Sequence, residues 1–266
     1  MSVVLMYHDI VTKDDKTSGF QNNSAFQYKV EETAFEEQVK ALQGRDVSFT
    51  FDDGGVSFYT KAAPILERYG FKGIFFISTK FVGTPGFLSA EQVKELAKNG
   101  HIIGSHSHTH PSNIAALTQE EIMNEWKESA RVLKCILGVS VETASIPNGY
   151  DSKIVKEYAR NAGFSRLYTS VPSKRTRYKC GQEIVGRFVI HKDTSLEDVI
   201  RIVTSPSFRI KLSVRYNFLE GVKWILGSKY DRMKNRLLNN NDRNIHIINE
   251  LNGGDCLKSK STPSED

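Results

Sequence analysis

The chain has 266 residues, of which 39% are hydrophobic and 25% charged, and its formal net charge is +5. This composition is typical of a globular protein with a sizeable core, and so mild a basic excess does not by itself indicate nucleic-acid binding. The three cysteines are few, odd in number and widely spaced, which argues against a disulfide framework and against a zinc-binding cysteine motif.

The first apolar segment, residues 3–7, predicts a buried strand that ends at His8 and Asp9. These two residues could line a site, although a structural histidine is the preferred interpretation of His8. The segment lacks the basic start, the long apolar region and the cleavage site of a signal peptide, and the chain contains no run of about 18 apolar residues. We therefore expect a cytoplasmic protein without a membrane span.

Seven strand patterns alternate with helical patterns along the chain. Helix starts are indicated by capping-box spacings at Thr33, Ser89 and Thr118 and by a capping serine at Ser195. Loops are expected over 12–32 and over the basic segment 170–182. The predicted strands cover residues 3–7, 47–51, 73–78, 101–105, 143–146, 166–169 and 186–190. This alternation predicts an α/β fold whose parallel strands form a TIM-barrel-like sheet with functional residues at the carboxyl ends of the strands.

Two adjacent carboxylates, Asp52 and Asp53, end the second strand and are followed by Gly54 and Gly55. Charged side chains at the end of an apolar strand are costly unless water, a cation or a metal receives them. An ordinary strand-ending turn is the alternative, because Asp-Gly is a common turn pair.

Three histidines, His106, His108 and His110, lie within five residues after the strand pattern 101–105. The spacing of four places His106 and His110 on one side of a helical turn or tight loop, while His108 faces elsewhere. One carboxylate and two histidines leave a coordination position open for water, as a hydrolytic metal site requires. The alternative is a solvated histidine-rich loop.

Together, the segment 50–54 (Thr-Phe-Asp-Asp-Gly) and the pattern His106-Ser107-x-x-His110 resemble the first two motifs of the polysaccharide deacetylase family, carbohydrate esterase family 4. The resemblance extends from Met6-Tyr7-His8 to about Asp193, and the stretches 63–66, 73–77 and 100–104 are also similar. It implies a distorted (β/α) barrel of about seven strands.

The resemblance also implies residue roles. Asp53, His106 and His110 would bind one divalent metal, zinc in the first place, with cobalt or nickel as substitutes in vitro. Asp52 would be the general base. His191 is the candidate proton donor, because it closes an apolar strand as the last family motif does, and an ordinary strand-end histidine is the alternative.

The third motif departs from the family pattern. The segment 145–149 (Ser-Ile-Pro-Asn-Gly) lacks the arginine that the family carries before this proline, and which orients the base. Arg187 is a candidate substitute. Pro147, Asn148 and Tyr150 are candidate substrate-binding residues.

The expected function is that of a metal-dependent hydrolase that removes the N-acetyl group from an amino sugar. The substrate would be a polysaccharide or a lipid- or nucleotide-linked glycan precursor, and no nucleic acid is expected as a partner. Two alternatives are a carbohydrate-binding protein with the same fold and little turnover, and an amidase that acts on a small non-sugar amide.

Three regions are expected along the chain: a catalytic barrel over 1–204, a basic helical extension over 205–243 and a disordered tail over 244–266. Residues 208–243 contain nine Lys or Arg and three Asp or Glu. We interpret this segment as a helix on the barrel with a solvated basic face, and contact with anionic lipid or a polyanionic polymer is the alternative.

Overall fold

The computed structural model describes residues 2–226, with side chains described as far as residue 221. Its strands are β1 Val3–Tyr7, β2 Ile10–Val11, β3 Val30–Glu31, β4 Val47–Phe51, β5 Gly73–Ile77, β6 Ile102–Ser105, β7 Thr143–Ser145, β8 Arg166–Tyr168, β9 Arg177–Lys179, β10 Gln182–Val185 and β11 Phe188–Val189. Its α-helices are α1 Asn23–Phe26, α2 Glu32–Ala41, α3 Ala63–Arg68, α4 Ala90–Lys98, α5 Gln119–Leu137, α6 Lys153–Asn161, α7 Leu196–Thr204 and α8 Pro206–Leu226. A π-helix over Phe58–Ala62 leads into α3, and short 3-10 turns occupy Thr79–Phe81, Ile114–Ala116 and Pro147–Gly149.

The main sheet has nine strands in the order β11-β1-β4-β5-β6-β7-β8-β10-β9. All neighbouring pairs are parallel except β9 and β10, which confirms the predicted α/β class. Only Gly186 and Arg187 separate β10, which pairs with β8, from β11, which pairs with β1. The run 182–189 is therefore one interrupted strand that joins the two edges of the sheet, and the predicted distorted barrel of about seven strands is confirmed.

Gly186 is required at this interruption. A Cβ atom on Gly186 would lie 2.6 Å from the Val171 carbonyl oxygen and 2.7 Å from that of Ser173. The neighbouring Arg187 N–H donates to the Val171 carbonyl at 3.0 Å. The strand thus changes partner where the backbone of the preceding loop packs directly against it.

Alternate residues of the strands divide between two apolar layers. Leu5 and Phe75 belong to the cluster between sheet and helices, whereas Val4 and Phe76 belong to a smaller cluster inside the barrel. Successive side chains in a strand point to opposite faces of the sheet. By this alternation Asp52, which follows the inward Thr50, is directed into the barrel at its carboxyl-end mouth.

Several local predictions are wrong. The predicted loop 170–182 contains β9 and the start of β10, and the predicted loop 12–32 contains α1 and β3. The residues of β9 are all exposed, so this strand has no apolar alternation to reveal it. The predicted capping box at Thr33 does not form, because α2 begins at Glu32. The boxes at Ser89 and Thr118 and the cap at Ser195 are confirmed.

Residues Met1–Tyr216 form one compact unit. The predicted bounds of the barrel (1–204), the basic extension (205–243) and the tail (244–266) stay predictions, and residues 227–266 lie outside the described part of the chain. Within residues 2–226, no helix combines the length and apolar character needed to cross a membrane.

Candidate metal centre

Three of the sequence-predicted site residues meet at the carboxyl-end mouth of the barrel. The ligand atoms of Asp53, His106 and His110 all lie within 4.8 Å of one another. Asp53 Oδ1 is 3.4 Å from His106 Nε2 and 3.2 Å from His110 Nε2. Among the residues described, this is the group of His, Cys, Asp and Glu side chains that could hold a metal ion.

The orientation of His106 suits metal binding. Its Nδ1 lies 3.1 Å from the Ser145 carbonyl oxygen, so an Nδ1–H that donates to this oxygen leaves the Nε2 lone pair directed toward Asp53. Metal-binding histidines are commonly held in this way by a carbonyl or carboxylate on the other ring nitrogen. The donor set of two imidazoles and one carboxylate therefore fits a divalent ion such as zinc.

The charges within the cluster explain its ionisation. Burial alone would raise the pKa of Asp53, but His110 and His106 reverse this effect and hold the pKa well below its usual range. Burial would lower the pKa of His110, and the carboxylate of Asp53 reverses that effect, so the net shift is upward. The carboxylate is thus kept in the anionic form that metal binding requires.

Glu125 of α5 binds the backbone of the loop that carries His106 and His110. One carboxylate oxygen of this buried residue accepts from the His108 N–H at 2.9 Å and the Thr109 N–H at 2.8 Å. The other oxygen accepts from the Thr109 hydroxyl at 2.6 Å. His108 itself pairs with Thr79 through its Nδ1 at 2.9 Å, outside the cluster. No signal in the sequence singles out Glu125, because it lies beside Trp126 on the buried face of an amphipathic helix.

Backbone strain is concentrated at the same place. In the described part of the chain, positive φ angles outside glycine occur at Asp53 (88°), Ser107 (64°), His110 (54°), Asn148 (55°) and Cys180 (51°). All but Cys180 border the cluster. Such conformations cost free energy and persist where the surrounding contacts impose them, commonly at functional sites.

Asp52 is paired with the arginine that its own motif lacks. Arg187 is fully buried and donates from Nη1 to Asp52 Oδ1 at 2.6 Å and from Nη2 to Oδ2 at 2.7 Å. Burial alone would raise the pKa of Asp52, but Arg187 and His106 outweigh it and the pKa lies below its ordinary value. Arg187, the candidate substitute for the missing arginine, thus makes a two-point contact with Asp52, and it reaches Asp52 from the interrupted strand.

His8, for which a structural role was preferred, lies beside the cluster. It follows β1, whose Met6 is paired with Thr50, so that His8 continues the register opposite Asp52. Burial lowers its pKa, against the opposing effect of Asp53 and Asp52. Its Nδ1 atom is buried without a hydrogen-bond partner. The alternation of Val4, Met6 and His8 on the inward face was the signal that could have identified it.

His191 lies farther out. It is exposed, its ring is 4.9 Å from that of Tyr28, and the Tyr28 ring in turn is 4.5 Å from that of His8. Although the residue as a whole is exposed, the protein around the imidazole desolvates it and lowers its pKa, and the opposing carboxylate is Asp193 rather than Asp52 or Asp53. The role of proton donor for His191 stays a prediction.

The candidate substrate-binding residues border the cluster on another side. Pro147 is buried, and Asn148 is exposed and donates from Nδ2 to the Pro111 carbonyl at 3.2 Å, just after the histidine loop. Tyr150 is 38% exposed, which leaves its ring available at the rim. Their contact with substrate stays a prediction.

Comparison with known proteins agrees with this geometry. The sequence model of the family described as polysaccharide deacetylase matches residues 40–167, which contain both motifs. The chain is 30% identical over 127 residues to a peptidoglycan-N-acetylglucosamine deacetylase of Bacillus cereus, covering 47% of this chain and 44% of the relative. It is 26% identical over 220 residues to the peptidoglycan-N-acetylglucosamine deacetylase PgdA of Listeria monocytogenes, covering 76% of this chain and 45% of the relative. The chain thus spans about half the length of these curated relatives.

The fold is also that of solved relatives. The deacetylase PplD of Streptococcus pyogenes, solved in complex with acetate, superposes with a TM-score of 0.64 at 20% identity, covering 76% of this chain and 97% of that chain. The sequence match includes Asp52, Asp53, His106 and His110, and the fold brings these residues to one mouth. Residues 40–167 are thus similar in sequence to the polysaccharide deacetylase family, and the fold of the chain is similar to that of a solved deacetylase.

Proposed function

We propose that the chain is a metal-dependent N-deacetylase that hydrolyses the acetamide of an amino sugar within a glycan or a glycan precursor. The observation that carries the proposal is the adjacency of two units: the metal-binding set of Asp53, His106 and His110, and the ionised Asp52 beside it. The Asp52 carboxylate lies 3.8 Å from His106 Nε2, so base and metal ligands share one small volume.

The metal would be held by Asp53, His106 and His110, and when bound it polarises the acetamide carbonyl and lowers the pKa of the attacking water. Asp52 takes the proton of that water at a carboxylate oxygen, as a general base must lie within hydrogen-bond reach of the proton it abstracts. Arg187 keeps this carboxylate ionised and fixes its plane with two parallel hydrogen bonds.

The leaving nitrogen must gain a proton as the C–N bond breaks, and His8 is the residue that we propose as its source. It adjoins Asp52 in the strand register, it is coupled electrostatically to both carboxylates, and Nδ1 has no competing partner. Its lowered pKa makes the imidazolium a stronger acid, while fewer molecules carry the proton at neutral pH. His191 is the alternative donor, one ring farther out across Tyr28.

The amino sugar is proposed from the relatives, since those named above are N-acetylglucosamine deacetylases. The missing arginine of the third motif would by itself favour the alternative of a carbohydrate-binding protein without turnover. Arg187 removes that argument, because Asp52 has its guanidinium partner from another strand.

The test is metal content followed by acetate release from N-acetylglucosamine oligomers and from lipid- and nucleotide-linked forms. We expect about one metal per chain and acetate release that is abolished by a chelator and by Asp52→Asn. An Asp52→Asn protein that keeps its metal and its turnover would refute the assignment of the base. A protein that binds no zinc or cobalt would refute the metal-dependent reaction.

A further inference from the structure

We propose that Phe20 is a positioning residue of the metal centre, that it fixes the ring of His110, and that Asp9 acts through it by anchoring the loop over residues 12–22. The inference rests on the proposed metal centre. It makes no assumption about the substrate, so it can be tested without any acetate-release assay.

Phe20 lies against a metal ligand. Its ring centroid is 4.9 Å from that of His110, at an interplanar angle of 40°. It is also 5.0 Å from Phe81 and 5.1 Å from Phe87, and those two rings stack at 4.9 Å. The three phenylalanines form an aromatic cluster that supports His110 on the side where Phe20 touches it, while His106 is its other ring neighbour at 5.1 Å.

His110 needs such support. It has a left-handed backbone conformation (φ 54°), and its N–H donates to the Ser107 hydroxyl at 3.2 Å. This backbone hydrogen bond fixes the position of the His110 Cα and Cβ atoms, but it does not fix the side-chain torsions that orient the ring. Packing and hydrogen bonds around metal-binding histidines orient the ring, and their loss weakens metal affinity.

Asp9 holds the loop that carries Phe20. The carboxylate is buried, and its Oδ1 accepts from the Ser18 hydroxyl at 2.6 Å and from the Ser57 hydroxyl at 2.9 Å. The Ser57 N–H in turn donates to the Ser18 hydroxyl at 2.9 Å. Asp9 therefore joins the loop to the segment that follows the metal ligand Asp53.

Two glycines allow this arrangement. A Cβ atom on Gly19 or on Gly55 would lie 1.9 Å from an oxygen of Asp9, so both backbones pack directly against the carboxylate. The Gly19 N–H donates to the Gly86 carbonyl at 2.7 Å, and Lys29 Nζ donates to the Ser18 carbonyl at 2.6 Å. The residue that precedes Phe20 is thus fixed on several sides, which leaves the phenylalanine little freedom to move away from His110.

The experiment measures the zinc affinity of the chelator-stripped full chain by competition with a chromophoric chelator. We expect Phe20→Ala to raise the zinc Kd about 10-fold and Phe20→Leu to raise it less, because leucine keeps part of the apolar contact. Asp9→Ala should act in the same direction. Asn22→Ala is the matched control: it removes a helix cap in the same loop and should leave the Kd within about twofold.

Asp9→Asn separates position from charge. The amide oxygen can accept both serine hydroxyls, so this variant should keep the Kd within about twofold of the original protein. If the negative charge of Asp9 were what favoured the cation, Asp9→Asn would weaken zinc binding as much as Asp9→Ala, and the proposal would be wrong.

The double variant tests whether Asp9 acts through Phe20. Once the ring is gone, loss of the anchor should matter little, so Asp9→Ala/Phe20→Ala should bind zinc within about twofold of Phe20→Ala alone. Fully additive losses would overturn the pathway. The proposal would also be overturned if Phe20→Ala left the zinc Kd unchanged and raised the KM for an oligosaccharide. That result would indicate that the aromatic cluster binds sugar rings instead.

Thermal unfolding of the metal-free variants checks that they are folded. If Asp9→Ala is not folded, Ser57→Ala takes its place in the double-variant comparison, because this change removes one of the two hydroxyl donors to Asp9. A protein that binds zinc with this pattern and releases no acetate would support the positioning role and contradict the proposed deacetylase reaction.

Discussion

Replacement of Arg187 by methionine should be among the most damaging single changes in the barrel. The variant keeps an apolar stem beside Phe76, whose ring centroid lies 5.4 Å from the guanidinium carbon. It leaves the Asp52 carboxylate, 3% exposed, without its two charge-assisted hydrogen bonds. Removal of one partner of a buried ion pair typically costs about 3–5 kcal/mol.

For a barrel of this size the loss corresponds to a fall in Tm of roughly 6–20 °C, at about 2–4 °C for each kcal/mol. Urea unfolding at neutral pH, with chelator and with zinc, measures the free energy directly. The difference from the original protein should shrink as pH falls. In the original, the lowered pKa of Asp52 stabilises the fold above its unfolded pKa, and this contribution is lost in acid. In the variant, burial without the guanidinium raises the pKa of Asp52, so protonation relieves the cost.

The same change should move the acid limb of the pH–rate profile upward, because the proposed base would be protonated closer to neutral pH. The matched control is Asp52→Asn/Arg187→Met, which removes both charges and should recover part of the lost free energy. An Arg187→Met protein within about 1 kcal/mol of the original, or a double variant no more stable than the single one, would refute the reasoning.

Three further results are expected. Glu125→Ala should weaken zinc affinity about 10- to 100-fold in the chelator competition. Glu125→Gln should weaken it far less, because the glutamine amide can still accept from the loop N–H groups and donate to the Thr109 hydroxyl. Equal losses of affinity in the two variants would contradict the role given to these hydrogen bonds. Burial raises the pKa of Asp9 to about 6, so its contribution to stability is present below about pH 4 and is lost as pH rises through 6. Urea unfolding should therefore show that the original protein loses about 2 kcal/mol more than Asp9→Asn between pH 4 and pH 7, and parallel pH curves would disprove the shift. His8→Ala should lower kcat for acetate release about 10²- to 10⁴-fold and His191→Ala much less, whereas the reverse order would make His191 the proton donor.

The grouping of Asp53, His106 and His110 could be predicted because its signals are local. Asp52 and Asp53 end one strand pattern, and His106 and His110 follow another at a spacing that favours one side of a turn. The carboxyl ends of parallel strands share an edge, so two separate local patterns were enough to place the group together.

Arg187 and His8 could not be placed with the same certainty, because their role depends on how distant strands align. Arg187 reaches Asp52 across 135 positions of sequence, from a strand interrupted by a glycine. His8 lies opposite Asp52 through the register of β1 with β4. The residues of these segments indicate neither which strand pairs with which nor where the sheet closes.

Glu125 and the loop over 12–22 show another limit. The helical pattern of α5 was interpreted as core because Ile122, Trp126 and Leu133 fit it, and these residues are buried. The role of Glu125, a polar residue buried on the same face, depends on the backbone N–H groups that it contacts in another loop, and the helical pattern does not reveal these contacts. In the same way, a polar, turn-rich segment indicates a loop and does not reveal that Asp9 fixes it.

The interrupted strand has a consequence for how the protein is made. Synthesis delivers β1, Asp52, Asp53 and both histidines of the cluster before residue 187 exists, and until then β1 and β8 are open edges of an unfinished sheet. A nascent chain therefore holds both motifs while Asp52 has no guanidinium partner. The same run, 182–189, pairs with both open edges and carries Arg187, so that completion of the barrel also pairs Asp52 with its guanidinium partner.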